Sequence, residues 1–179
     1  MDMILIIGPT GAGKTSQAKQ LARNNPNYAH IELGELLRQS TDPKVKELMK
    51  AGELVDDELV ARLVVEKIKE LSKEETPILD GFPRRMSQVE LFEKMLENIN
   101  REVECVILLK VSPQVTQGRL AKRGRLDDII QAIRRKRQIF LDETIKVVEH
   151  YRQQGLVREV DGEDSLEEVD RRIQDALNK

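Results

Sequence analysis

The sequence predicts an α/β fold in which a parallel sheet of about five strands is flanked by helices. Short apolar runs alternate along the chain with segments whose apolar residues recur every three or four positions, a pattern typical of this fold class. A glycine-rich loop follows the first apolar run directly, at the edge where such sheets bind ligands. With 179 residues, of which 39% are hydrophobic, the chain is predicted to form one domain over 1–179.

Turn and cap residues separate the predicted elements. Gly8-Pro9 ends the first strand, Ser112-Pro113 opens a helix, and Ser165 with Glu168 forms a capping box before the last helix. The predicted strands are 3–7, 28–31, 77–80, 104–111 and 156–160. The predicted helices are 14–25, 34–39, 43–50, 56–71, 87–98, one that begins at 112, a long helical stretch over 127–154, and one that begins after 165.

The charge balance argues against a general role in binding nucleic acids or membrane surfaces. Lys and Arg total 30 and Asp and Glu total 32, so the net charge is −2, whereas such roles favour a basic excess. Aromatic residues make up 3% and Trp is missing, which disfavours stacking platforms for single strands. The N-terminus lacks a positive leader and no apolar run reaches membrane-spanning length, so the sequence predicts a cytoplasmic chain.

The side chains that most often bind metals give no signal by their spacing. Cys105 is the single cysteine and lies within an apolar run, so it is predicted to pack in the core rather than in a disulfide or metal site. His30 and His150 are far apart in the chain and are predicted to be structural.

The loop after the first strand matches the P-loop pattern of Gly, four residues, then Gly-Lys-Ser/Thr. Glycines let successive backbone N–H groups point at a phosphate, and the N-terminus of the following helix adds its dipole. Lys14 is predicted to reach the β- and γ-phosphates, and the Thr15 hydroxyl to hold Mg²⁺. The candidate ATP-binding residues of this segment are Gly8, Thr10, Gly11, Ala12, Gly13, Lys14, Thr15 and Ser16.

A second segment, Asp80-Gly81-Phe82-Pro83-Arg84, ends a predicted buried strand. Its acid and its base bracket a turn at the edge of the sheet where ligands bind. Asp80 is predicted to bind Mg²⁺ directly or through a water, and Arg84 to bind a phosphate. A simple turn that ends the strand would not require this pair of charges.

Taken together, these segments resemble the adenylate kinase family of nucleoside monophosphate kinases, and the resemblance spans nearly the whole chain. The segments that carry it, in order, are the P-loop, Gly52-Glu53-Leu54-Val55-Asp56-Asp57-Glu58-Leu59-Val60, the Asp80–Arg84 segment with Gln88, and Arg119, Arg123 and Arg125 before Asp127-Asp128. The resemblance implies a P-loop NTPase fold in three layers and transfer of the terminal phosphate of ATP to AMP with Mg²⁺.

The resemblance also implies an acceptor-binding segment over about 33–62. Arg38 would pair with Arg84 across the acceptor phosphate, and Gln88 would hydrogen-bond the adenine edge, which favours AMP over CMP or UMP. The other AMP-binding residues implied are Leu33, Gly34, Glu53, Leu54, Val55, Gly81, Phe82 and Arg125. The family usually has Thr where this chain has Leu33, so strict recognition of AMP is open and a broader nucleoside monophosphate kinase is the nearest alternative.

By the same resemblance, residues from about 119 to 128 correspond to the lid that closes over the phosphates. Arg119 would lie against the adenine of ATP, and Arg123 and Arg125 would contact the phosphates in transit. Only Gly124 separates the last two arginines, whereas relatives have several residues or a subdomain there. A lid excludes water, so we expect this chain to hydrolyse some ATP without an acceptor.

The long predicted helix carries a second departure from the family. The position of a further catalytic arginine corresponds to Lys136, next to Arg137. Lysine lacks the planar fork of arginine, so either Lys136 acts as a point charge or Arg137 takes the role. A non-catalytic nucleotide-binding subunit on the same fold is the alternative that these departures favour. The chain is expected to act as a monomer on small-molecule substrates.

Overall fold

The computed structural model describes residues 2–123 and 130–178, with Arg123 described by its backbone. Strands and helices alternate almost throughout, as predicted. The strands are β1 (Ile4–Ile7), β2 (Tyr28–Glu32), β3 (Thr76–Asp80), β4 (Cys105–Lys110) and β5 (Val157–Asp161). The helices are α1 (Lys14–Asn24), α2 (Leu33–Arg38), α3 (Pro43–Ala51), α4 (Asp57–Lys69), α5 (Met86–Glu97), α6 (Pro113–Arg123), α7 (Ile130–Ile139), a π-helical segment (Phe140–Thr144), α8 (Ile145–Gln153) and α9 (Leu166–Leu177).

The five strands form a parallel sheet in the order β2-β3-β1-β4-β5, which confirms the predicted α/β fold class. The chain starts in the middle of the sheet, builds one side with β2 and β3, and then returns to build the other. This reversal leaves a crevice at the carboxyl ends of the central strands, which is where open parallel sheets bind ligands.

Alternating residues of β1 show why the sheet is covered on both faces. Met3, Leu5 and Ile7 pack in a core with α2, α4, α5 and α8, whereas Ile4 and Ile6 pack in a second core with α1 and α9. Because β1 is apolar on both faces, it is stable only between two helical layers. The three-layer arrangement therefore follows from the apolar runs of the sequence.

Side-chain caps begin several of the helices. Asp56 Oδ1 accepts a hydrogen bond from the Leu59 N–H at 2.9 Å at the start of α4. The predicted capping residue Ser165 accepts one from the Glu168 N–H at 3.2 Å. Such caps stabilise a helix by about 1 kcal/mol each.

The predicted long helical stretch over 127–154 is helical from Ile130 to Gln153, but it contains a π-helical segment that was not predicted. The described part of this stretch consists of α7, the π-helical segment and α8, and residues 124–129 lie outside the described residues. The Thr144 hydroxyl at the end of the π-helical segment donates to the Arg84 carbonyl oxygen at 2.9 Å. A π-helical turn adds one residue to the helical turn, so the side chains after it are rotated by about 100° around the helix axis. None of the described helices is both long and apolar enough to span a membrane.

Candidate active site

The P-loop joins β1 to α1 at the crevice of the sheet. Gly11 and Gly13 have positive φ angles of 87° and 97°, which glycine adopts without strain. A Cβ atom at Gly11 would lie 2.8 Å from the Thr116 carbonyl oxygen, so this position also excludes larger residues by contact. The loop conformation therefore depends on its glycines, as the phosphate-binding interpretation requires.

The lysine and the hydroxyl of the motif lie where α1 begins. Lys14 Nζ donates to the Gly8 and Pro9 carbonyl oxygens at 2.9 and 3.0 Å. The Thr15 hydroxyl donates to the Asp80 carboxylate at the end of β3. A hydroxyl and a carboxylate that meet at a phosphate-binding loop form an oxygen-only donor set, which fits Mg²⁺.

A first cavity, which we name cavity A, opens between the P-loop, α2 and the ends of β2 and β3. It brings together most of the residues that the resemblance assigned to the acceptor. Those residues are Leu33, Gly34, Arg38, Glu53, Leu54, Val55, Gly81, Arg84 and Gln88. Lys14, Thr15 and Asp80 also line this cavity.

Internal acceptors hold the two arginines of cavity A. Arg38 Nη2 donates to Glu32 Oε1 at 2.6 Å, in an ion pair whose Glu32 side chain is 7% exposed. Arg84 Nε donates to the Gly81 carbonyl oxygen at 2.7 Å. Both guanidinium groups therefore reach the same cavity from different elements, which suits the binding of a dianion.

Hydrogen bonds at both ends fix the amide of Gln88. Its Oε1 accepts from the Arg84 N–H at 2.7 Å, and its Nε2 donates to Asp57 Oδ1 at 2.8 Å. Arg85 Nε also donates to Asp57 Oδ1, at 2.6 Å, and the Ser87 hydroxyl donates to Oδ2. Gln88 is 1% exposed, so its side chain has little freedom to turn over.

A second cavity, cavity B, lies on the other side of the P-loop, against α6 and α9. Ser16, Arg119, Leu120, Leu166 and Val169 are among its lining residues. Arg119 Nη1 donates to the Ala12 carbonyl oxygen at 3.0 Å, and its Nη2 to the Gly162 carbonyl oxygen at 2.8 Å. These bonds hold the guanidinium flat beside the loop.

The two cavities share Gly11, Lys14 and Thr15 of the P-loop. Ligands bound in cavity A and in cavity B would therefore each have one end beside Lys14. Two nucleotides whose phosphates meet end to end require this arrangement.

Comparison with known proteins agrees with this geometry. The family model described as adenylate kinase matches residues 6–156. An adenylate kinase of Prochlorococcus marinus is 35% identical over 181 residues, covering 98% of both chains. One of Synechococcus sp. is 36% identical over 180 residues, covering 97% of each, and one of Clavibacter michiganensis is 35% identical over 187 residues, covering 99% of this chain and 93% of that protein.

The chain belongs to the adenylate kinase family. The predicted family membership, and the prediction of a phosphotransferase that acts on ATP and AMP, are confirmed.

The remaining predicted site residues of this adenylate kinase lie in different surroundings. Lys136 lines cavity A, whereas Arg137 on the same helix is exposed and is not among the lining residues. Phe82 is 2% exposed and packs edge-on against Phe92, so it lies in the core beneath the Arg84 turn. The Arg123 side chain and all of Arg125, Asp127 and Asp128 lie outside the described residues.

Sequence reasoning missed two acidic residues of the adenylate kinase site. Glu32 forms an ion pair with Arg38 at cavity A. Asp57 accepts hydrogen bonds from the side chains of Arg85, Ser87 and Gln88. A signal for Glu32 was present, because it ends a strand next to the strand that ends in Asp80. For Asp57 the sequence offered no comparable signal, since an acid in the first turn of a helix is common.

His30 lies on β2, near the carboxylates of Glu32 and Asp80. Burial lowers the pKa of its imidazole, although the negative charges of Asp80 and Glu32 raise it in part. The other histidine, His150, contacts Glu93 at 3.0 Å on the far side of the sheet, as a structural residue would.

Proposed function

We propose that the chain transfers the γ-phosphate of ATP, bound in cavity B, to the phosphate of AMP, bound in cavity A. The observation that supports this proposal most strongly is that Gly11, Lys14 and Thr15 line both cavities. Phosphoryl transfer needs the donor and the acceptor in line across one charged centre, and the shared wall supplies that centre.

Charge neutralisation accounts for most of the chemistry. Lys14 leaves the loop carbonyls to bind the β- and γ-phosphates, while Arg38 and Arg84 hold the acceptor phosphate. Lys136 lines cavity A, corresponds in sequence to the family's further arginine, and supplies a point charge to the group in transit. Preorganised cations of this kind stabilise charge spread over the transferring oxygens.

Thr15 and Asp80 would hold the Mg²⁺ that accompanies ATP. When bound, the ion neutralises charge on the β- and γ-phosphates. The Thr15–Asp80 hydrogen bond keeps both oxygen donors at the head of α1 and so prepares the site. Arg123 and Arg125 are proposed to contact the phosphates from the lid, as the resemblance implies.

The choice of AMP rests on the orientation of Gln88. Its bonds to Arg84 and Asp57 leave one N–H and one oxygen lone pair for the base. That donor and acceptor pair matches the edge of adenine. Leu33, which is 3% exposed, presents an apolar wall to the base and adds no hydrogen bond.

An acceptor screen tests the proposal. Phosphate transfer from ATP is measured with AMP, CMP, UMP and GMP and without an acceptor, and AMP should be used with the highest kcat/KM. Lys14→Ala should lower transfer to AMP by at least about 10³-fold while circular dichroism and the melting temperature stay close to those of the parent chain. Unchanged transfer by this variant, or no transfer by the parent chain, would contradict the proposal and favour a nucleotide-binding subunit.

We also propose that the chain acts as a cytoplasmic monomer. Residues of one chain line both cavities, so neither cavity needs a second copy. Sedimentation of the active protein at assay concentration tests the monomer, and activity confined to a larger species would refute it.

A further inference from the structure

Three side chains that could bind a metal ion lie on one face of the sheet. His30 and Glu32 are two residues apart on β2, so they point to the same side. Glu32 is in register with Asp80 of β3, and paired residues of neighbouring strands share a face. The three side chains therefore meet on the face that α1 covers, at the carboxyl ends of both strands.

The cluster is compact and mostly removed from solvent. One potential ligand atom from each residue lies within 4.8 Å of the others. Glu32 and Asp80 are 8% and 4% exposed. Tetrahedral ligands at about 2.1 Å from one ion lie about 3.4 Å apart, so a movement of about 1 Å by each ligand atom would bring all three onto one ion.

The imidazole supplies a separate observation that points to a ligand. The Nε2 atom of His30 is buried and has no hydrogen-bond partner among residues 2–123 and 130–178. Buried polar atoms almost always have a partner, and one without is often explained by an unseen ion or water. In contrast, Asp80 is engaged by Thr15 and Glu32 by Arg38, each of which leaves carboxylate lone pairs to spare.

We propose that His30, Glu32 and Asp80 bind a divalent first-row transition-metal ion such as Zn²⁺ or Co²⁺. A nitrogen and two carboxylate ligands suit these ions, whereas Mg²⁺ prefers oxygen ligands and retains its waters. This ion is therefore distinct from the Mg²⁺ that ATP carries, although Asp80 adjoins both. Its charge offsets two buried carboxylates at the wall of the acceptor cavity.

The site is tested on the nucleotide-free protein, produced without a histidine tag. The probe is Co²⁺ alone, followed by its visible absorption and by calorimetry, and we expect one ion per chain. His30→Gln should weaken binding by about 100-fold and Glu32→Gln by at least about tenfold. The matched control is His150→Gln, which changes the only other histidine and should bind Co²⁺ like the parent chain.

The control variant also gives a test that leaves the proposed ligands intact. In His150→Gln the sole remaining histidine is His30, so its ring protons can be followed directly by NMR. Stoichiometric Co²⁺ should shift or broaden those signals strongly, and a 100-fold excess of Mg²⁺ should not reverse the effect. This readout holds even where His30→Gln fails to fold.

Four results would overturn the proposal. They are failure of the parent chain to bind Co²⁺, full binding by a folded His30→Gln variant, ring signals of His30 that Co²⁺ leaves unchanged, and displacement of Co²⁺ by an equal concentration of Mg²⁺. The last result would mean that the ion occupies the Mg²⁺ position at Thr15 and Asp80. None of these measurements uses phosphate transfer, so they are independent of the proposed function.

Discussion

At the scale of single residues, the cations of the site are held by internal acceptors. Lys14 donates to two loop carbonyls and Arg38 to the buried Glu32 carboxylate, at distances from 2.6 to 3.0 Å. A charged side chain held in this way loses little conformational freedom when it binds a phosphate. When an acceptor phosphate displaces Glu32 from Arg38, one anion therefore replaces another at the same guanidinium group.

The pair Lys136 and Arg137 gives a direct test of which cation acts on the transferring group. Lys136 lines cavity A, so Lys136→Ala should lower kcat by about 10²- to 10³-fold, as loss of one charge-stabilising donor does in other enzymes. Arg137 is exposed, and Arg137→Ala should stay within about twofold of the parent chain. Steady-state kinetics with saturating ATP and AMP measure both.

A third variant sharpens this comparison. Lys136→Arg restores the planar fork that the family uses and should keep or raise kcat. The opposite order, with Arg137→Ala impaired and Lys136→Ala unaffected, would assign the role to Arg137 through a shift of α7.

At the scale of elements, Asp57 links the acceptor-binding segment to the core. It lies in the first turn of α4, and its three donors lie before and within the first turn of α5. The same carboxylate therefore sets the orientation of Gln88 and ties α4 to the loop that carries Arg84. The sequence predicted both helices correctly, but the network between them depends on how the helices pack.

Asp57→Ala should weaken the choice of acceptor. Without its partner, Gln88 Nε2 loses a hydrogen bond and only the Arg84 N–H still orients the amide. A lost hydrogen bond of this kind costs about 1–2 kcal/mol, or roughly tenfold in an equilibrium. We expect kcat/KM for AMP to fall by about tenfold and the ratio of AMP to CMP use to shrink. The acceptor screen measures both quantities.

The neighbouring acid provides the matched control. Asp56 caps α4 and is exposed, so Asp56→Ala should cost about 1 kcal/mol of unfolding free energy and leave the AMP to CMP ratio unchanged. If Asp57→Ala behaved like Asp56→Ala in both respects, Asp57 would be a structural residue without influence on the acceptor.

At the scale of the whole molecule, the sheet topology places two cavities on either side of one loop. The β2-β3 side of the sheet supplies cavity A, proposed for the acceptor, and the β4-β5 side, through α6 and α9, supplies cavity B, proposed for the donor. In the strand order, β1 lies between these two sides, and the P-loop follows β1 directly. The reaction centre is thus located by the connectivity of the sheet.

The short lid that the family resemblance implies leads us to expect a measurable leak. Only Gly124 separates Arg123 from Arg125, so little chain is available to exclude water from ATP. We expect slow release of phosphate from ATP in the absence of AMP. Continuous phosphate detection measures it, with Lys14→Ala as the control for contaminating activity. Release no greater than that of Lys14→Ala would show that water is excluded despite the short lid.

The sequence by itself determined the layers, the P-loop and most of the residues that line cavity A. Apolar runs without polar interruption can be stable only as buried parallel strands, and the glycines and lysine of the P-loop lie close together in the chain. Interactions between residues that are close together in the chain can be predicted from a single sequence. Capping residues such as Ser165 belong to the same class, because their hydrogen bonds span only three residues.

Only the tertiary structure decided the contacts that join distant segments. The π-helical turn that brings Thr144 to Arg84, the choice of Lys136 over Arg137 at cavity A, and the meeting of His30, Glu32 and Asp80 each depend on packing or strand register. A shift of one residue in a helix turns a side chain by about 100°, and a shift of one residue in a strand moves it to the opposite face. The local apolar pattern does not specify which polar groups of neighbouring elements meet, so the sequence leaves these contacts open.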